Sequence, residues 1–166
     1  IEDTLKQKLN EIYNKALSNV KRSKEFELKA SEYENILKTD PKQNEQLKKE
    51  LEKNKAEIKQ PAISEYSLEE LEQKLNEKEA ELKLQKTSLE KTDAKIQSLS
   101  SRRIELPKII VDIKQKIAEN KQQTVNTASN TDLLTDAQNI LLLSQRQLYE
   151  KELAASEKEM LTFDIE

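Results

Sequence analysis

Few residues in this chain could do chemistry. The doublet Arg102-Arg103 stands out because the sequence holds only two other arginines, Arg22 and Arg146. Such a doublet could bind a phosphate or a partner's carboxylate. Adjacent carboxylates such as Glu69-Glu70 could imitate a hydrolase dyad or a Ca²⁺ site. The aromatics Tyr13, Phe26, Tyr33 and Tyr149 could offer stacking platforms for bases. Each also has a plainer reading, and in each case it is preferred. Arg103 falls on the seam of a long helix, where an arginine snorkels or pairs with a carboxylate of a facing helix to fix register. Carboxylates are abundant everywhere in the chain, and the glycine-containing loop of a Ca²⁺ site is missing. The aromatics sit at spacings that suit helix seams.

The absent residue types exclude more than the present ones suggest. The 166 residues include no Gly, Cys, His or Trp. Without glycine, tight βαβ turns, primed hairpins and phosphate-cradling loops are hard to build, since each needs positive φ or close backbone approach. Without His and Cys there is no Ser–His–Asp or Cys–His machinery and no ordinary zinc or haem site. The expectation is a non-enzyme with no catalytic residue, cofactor, metal or small-molecule ligand. Lys and Arg number 29 against 32 Asp and Glu, a net charge of -3, which lacks the basic excess of a nucleic-acid surface. The longest apolar run, Ile140-Leu141-Leu142-Leu143, is far short of the ~20 residues of a membrane span. The first residue is Ile and no signal peptide is visible, so the sequence reads as an excised piece.

The elements that would position any site are helices. Charged residues make up 37% of the chain and hydrophobic ones 34%, against roughly 45–50% in an ordinary globular domain. So little apolar surface suits helices that each bury a narrow stripe. The expected fold is all-α, a single elongated antiparallel coiled-coil or helical-bundle rod over residues 1–166. Helices are placed at about 1–38, 41–59, 68–123 and 131–162, with loops at 39–40, 60–67 and 124–130. In the first, Leu5, Leu9, Ile12, Ala16 and Val20, then Phe26, Ala30, Tyr33 and Leu37, recur at steps of three and four. Thr39-Asp40-Pro41 suggests a sharp hairpin, with Asp40 capping a second helix that begins at Pro41. That helix carries Leu47, Leu51, Ala56 and Ile58 and stops at Pro61. Ser67-Leu68-Glu69-Glu70 matches a capping box for the third.

The third helix carries the clearest periodicity. With Leu68 at position a of a heptad, the a positions are Leu75, Leu82, Leu89, Ile96, Arg103, Ile110 and Ile117 after it, seven of eight being Leu or Ile. Chance gives this about 2% of the time over seven registers. The d positions are Leu71, Lys78, Gln85, Thr92, Leu99, Leu106, Ile113 and Asn120, so the middle of the seam is half polar. The register holds across Pro107, which is read as a kink inside one helix of about 55 residues, roughly 80 Å long. A fourth helix, capped by Asn130 or Thr131, is expected to fold back antiparallel, its apolar start from Leu133 to Leu143 meeting Leu106, Ile109, Ile110, Ile113 and Ile117. Glu-to-Lys steps of four, such as Glu2–Lys6, Glu25–Lys29 and Glu70–Lys74, mark solvated faces.

The order of these features resembles a known family. A helix leads into the Asp40-Pro41-Lys42 turn after Tyr33 and Ile36. A short Leu-rich helix, a proline-containing loop and a Ser-capped long helix with Arg102-Arg103 and Leu106-Pro107 follow. A small polar loop and a Leu-rich returning helix close the series. This is similar to the N-terminal extracytoplasmic helical region, the so-called porin domain, of the large MscS-superfamily mechanosensitive channels of the KefA-like, MscK/MscM type. The resemblance implies a periplasmic part of an inner-membrane channel that contributes to assembly or gating in the osmotic response. Its partners would be other copies of itself or the rest of the channel. No pore-lining residue can be matched, and the residues show none of the alternating segments of a literal porin. The competing expectation is a generic coiled-coil scaffold or adaptor, which could be cytoplasmic.

Overall fold

A computed structural model describes residues 2–55, 66–127 and 132–164, with the side chains of all but 54–55 and 125–127. Among the described residues the fold is all-α: α1 is Glu2–Lys55, α2 is Leu68–Thr127 and α3 is Leu133–Thr162. None of the described residues takes a positive φ, in keeping with a chain that has no glycine.

The hairpin expected at 39–40 is not there. α1 is one helix of 54 residues that passes through Pro41, and Asp40 lies in its interior instead of capping a new helix. Proline removes one backbone donor and crowds the carbonyl four residues back, at a cost of about 3 kcal/mol. Ending one helix there and nucleating another would cost more, since no glycine is available for a left-handed C-cap and nucleation is intrinsically unfavourable. The heptad spacing Ala16, Ser23, Ala30, Leu37, Asn44, Leu51 also runs straight through the proline. Pro107 likewise lies inside α2, which is 60 residues long and reaches Thr127, beyond the expected start of a loop at 124. The expected end of a helix at Pro61, the seam residues Ala56 and Ile58, and positions 60–65 and 128–130 of the two expected loops lie outside the described residues.

Among the described residues, the N-termini of α2 and α3 are capped by side chains. The Ser67 backbone amide donates to Glu70 Oε2 at 2.8 Å, and the Glu70 amide to Ser67 Oγ at 3.4 Å, which is the expected capping box. The Ser67 amide, and its hydroxyl donating to the same Oε2 at 2.9 Å, favour the ionised Glu70 carboxylate and lower its pKa. α3 is capped by Asp132, not by Asn130 or Thr131. Its backbone is extended, with φ -104° and ψ 158°, and its Oδ1 accepts from the Thr135 amide at 2.6 Å.

The chain divides into two compact units, one of residues 1–42 and 104–166 and one of residues 43–103. The first is a three-helix bundle. Asn19–Ser144, Glu27–Lys151 and Glu34–Lys158 are all bonded at sequence separations of 124 or 125, so α1 and α3 run parallel. Asn120 bonds the Leu142 carbonyl and Lys114 pairs with Glu157, a reversed order that makes α2 antiparallel to α3. Its core is Ala16, Ala30, Leu106, Ile110, Ile113, Ala137, Leu148 and Ala155. The small residues Ala16, Ser23 and Ala30 recur every seven positions on α1 and let the helix backbones approach closely.

This pairing corrects the expected mate of the apolar start of α3. In an antiparallel hairpin, residues equally distant from the loop lie level with each other. Leu106 to Ile113 therefore lie level with the second half of α3, as the Lys114–Glu157 pair shows. The start of α3 instead lies by the start of α1, where Leu134 shares a surface depression with Thr4, Leu5 and Lys8. Leu133, Ile140 and Leu143 remain exposed.

In the second unit, residues 43–103, no described residue is buried. Only Asn44, Leu71 and Arg102 are half-buried there.

Candidate interaction face

The seam residues of α2 separate into two groups. Leu106, Ile110 and Ile113 are buried, and Ile117 is half-buried. On the same a/d stripe, Leu68, Leu75, Leu82, Leu89 and Ile96 are 77%, 59%, 51%, 61% and 55% exposed. The polar d positions between them, Lys78, Gln85 and Thr92, are exposed as well. Arg103 is exposed at the end of this stretch and Arg102 half-buried, so neither occupies a core position. Pro41 and Pro107 are exposed, and Ser67 is exposed at its cap.

Two features of the first unit escaped the sequence reading. One is the ladder between α1 and α3. Lys151 Nζ lies 2.8 Å from Glu27 and Lys158 Nζ 2.7 Å from Glu34, which also accepts from Lys38 at 3.0 Å. The hydrogen bonds and charges of Lys158 and Lys38 pull Glu34 down to a pKa of about 2, and Lys151 lowers Glu27 in the same way. The signal was present as matched spacing: two glutamates seven apart on α1 and two lysines seven apart on α3. The charges at steps of four, such as Glu25–Lys29 and Glu70–Lys74, do lie on exposed faces, where Lys29 and Lys74 sit over the rings of Phe26 and Tyr66.

The other feature is Asn120, a d position of α2 that is 4% exposed. Its Nδ2 donates to the Leu142 carbonyl at 3.0 Å, while its Oδ1 is buried with no hydrogen-bond partner. It borders a depression of about 210 Å³ lined with Lys116, Glu119, Gln123, Gln145 and Tyr149. A single buried amide on a seam fixes register at some cost in stability. Among the described residues no group of three or more acidic, histidine or cysteine side chains is placed to hold a metal.

Long helices, a thin core of small and aliphatic residues, charged ladders and an uncovered heptad stripe define a helical packing module of the coiled-coil class. The chain belongs to the mechanosensitive ion channel porin domain family, whose model matches residues 1–165. It is therefore a domain associated with MscS-superfamily channels, as the resemblance implied, and the family is one of channel proteins. The fold is helical in spite of the family's description, since no described residue forms a strand. No curated protein and no solved structure matches the chain.

Proposed function

We propose that this chain is the periplasmic helical domain of an MscS-type mechanosensitive channel, contributing to channel assembly and modulating gating in the osmotic response. The observation that carries the reading is the family match across nearly the whole chain. The helices support it: α1 and α2 run 54 and 60 residues, lengths suited to holding parts at fixed positions. No helix among the described residues is long and apolar enough to cross a membrane, and in this reading the pore belongs to the rest of the channel. Its partners are that remainder and other copies of itself. A net charge of -3 gives no support to a nucleic-acid partner.

Patch recordings from the whole channel, with and without residues 1–166, test this reading. The expected result is a changed tension threshold or a changed yield of assembled channels, at unchanged single-channel conductance. Identical thresholds and identical assembly on native gels overturn it.

A further inference from the structure

We infer that the uncovered stripe of α2 from Leu68 to Ile96 pairs with the same stripe of a second copy, parallel and in register. This deepens the reading that other copies of the chain are among its partners and rests on that part of it, while a change in gating is tested separately by the channel recordings.

Continuity is the first reason. One unbroken heptad register runs along α2, and its C-terminal part, Leu106, Ile110 and Ile113, is the share of α2 in the core of the three-helix bundle. The same register continues toward the N-terminus with Leu75, Leu82, Leu89 and Ile96, each more than half exposed among the described residues. A stripe of aliphatic residues at a single heptad position is a surface built for a helix.

The composition of the stripe then selects the occupant and its direction. In a parallel pair, position a meets a and d meets d, which gives layers of leucine on leucine separated by polar layers at Lys78, Gln85 and Thr92. In an antiparallel pair centred on the polar stretch, a meets d. Leu75, Leu82 and Leu89 would then face Thr92, Gln85 and Lys78, burying these three leucines against polar groups and leaving apolar pairs only at the ends, Leu68 with Leu99 and Leu71 with Ile96. The flanking charges agree with the parallel choice. Position g of one copy faces position e of the next heptad on the other, so Lys74 meets Glu79 and Glu81 meets Lys86. The remaining pairs, Ser88 with Asp93 and Lys95 with Ser100, carry no repulsion. Lys78 at its d position already points its ammonium at Glu81, 2.6 Å away, which offsets the like charge of its counterpart. Polar d layers keep the pairing weak and fix its register.

The chain contains no cysteine, so single thiols report contacts directly. Gln85→Cys and Thr92→Cys place a thiol at d positions, and Thr87→Cys places one on the opposite face as a control. Under mild oxidation of the 166-residue chain, the first two are expected to form disulfide-linked dimers about tenfold faster than the third, because pairing raises their effective concentration. The double substitution Leu82→Glu and Leu89→Glu is expected to weaken association about tenfold in sedimentation, since it sets like charges against each other. The bundle core does not include these positions, so helix content by circular dichroism should hold. Equal rates for all three thiols, or a monomer at every concentration, overturn the inference. So does slow self-linkage of Thr92→Cys combined with fast mixed linkage between Thr92→Cys and Leu75→Cys, which is the antiparallel signature.

Discussion

Glu34 shows how a single side chain can set the register of two helices and how to detect it. It holds Lys158 of α3 while bracing against Lys38 of its own helix, and its pKa falls from the ordinary 4.5 to about 2. A carboxyl with a depressed folded pKa contributes stability above its unfolded value and loses that contribution as pH falls through the folded one. Glu34→Gln should therefore lower the urea midpoint at pH 7, and the gap to the parent chain should close between pH 4.5 and about 2. High salt should narrow the same gap, because the pair is open to solvent. A gap that persists at pH 2 would show that Glu34 acts by packing, without its charge. Asn120 calls for the opposite expectation. Its Oδ1 is buried without a partner, so replacing the amide by an apolar group of similar size removes an unmet polar atom. Asn120→Leu should stabilise the bundle by about 1 kcal/mol in urea titration, at the expense of the register that the bond to Leu142 maintains. A lower midpoint would mean that the depression beside Asn120 supplies the missing donor.

At the scale of elements, the two prolines and the long seam carry the testable content. If α1 is continuous, Pro41→Ala restores a lost backbone bond and should raise stability by up to about 3 kcal/mol. If Pro41 opened a new helix, the same change would be neutral or harmful, so the sign of the shift in thermal midpoint decides. The seam of α2 predicts a contrast along one stripe. Leu106 has no exposed surface, and Leu106→Ala should cost about 2–5 kcal/mol, whereas Leu82→Ala in the isolated chain should cost less than about 0.5 kcal/mol. Much of this architecture was legible in the sequence. Leucine and isoleucine every seven residues located α2 and carried it through Pro107, and Ser67 with Glu70 marked its start. The heptad spacing from Ala16 to Leu51 carries α1 through Pro41 as well, against the local preference of the residue before a proline for extended backbone. The cap of α3 was ambiguous because Asn130, Thr131 and Asp132 are all good capping residues in succession. The α1–α3 pairing was hidden because small residues such as Ala16 and Ser23 give little hydrophobic signal, though they are what close packing requires. Whether Leu68 to Ile96 is covered cannot be read from periodicity at all, since a heptad stripe looks the same whether its partner is in the same chain or another.

At the scale of the whole molecule, stability is unevenly distributed. Among the described residues, every buried apolar one, from Ala16 to Ala155, belongs to the unit of residues 1–42 and 104–166. The unit of residues 43–103 buries none of its described residues, so its helices are sustained by local propensity, the Ser67–Glu70 box and side-chain pairs such as Lys78–Glu81. Such interactions give tenths of a kcal/mol each, whereas a buried aliphatic side chain contributes about 1.5–3 kcal/mol. Local opening should therefore be far easier in the second unit. In hydrogen exchange on a dilute monomer, amides of residues 104–120 and 137–159 should be protected up to the global stability, and those of 72–100 should exchange by local fraying. Raising the protein concentration separates the two possible sources of order. If the leucine stripe is taken up by a second copy, protection at 72–100 should rise with concentration while that of the bundle stays constant, because only the paired state buries the a positions. In Leu82→Glu with Leu89→Glu the rise should vanish. Protection in the second unit that equals the bundle's at high dilution would mean that a core sustains those helices within one chain, and the division into a packed unit and an uncovered one would have to be abandoned.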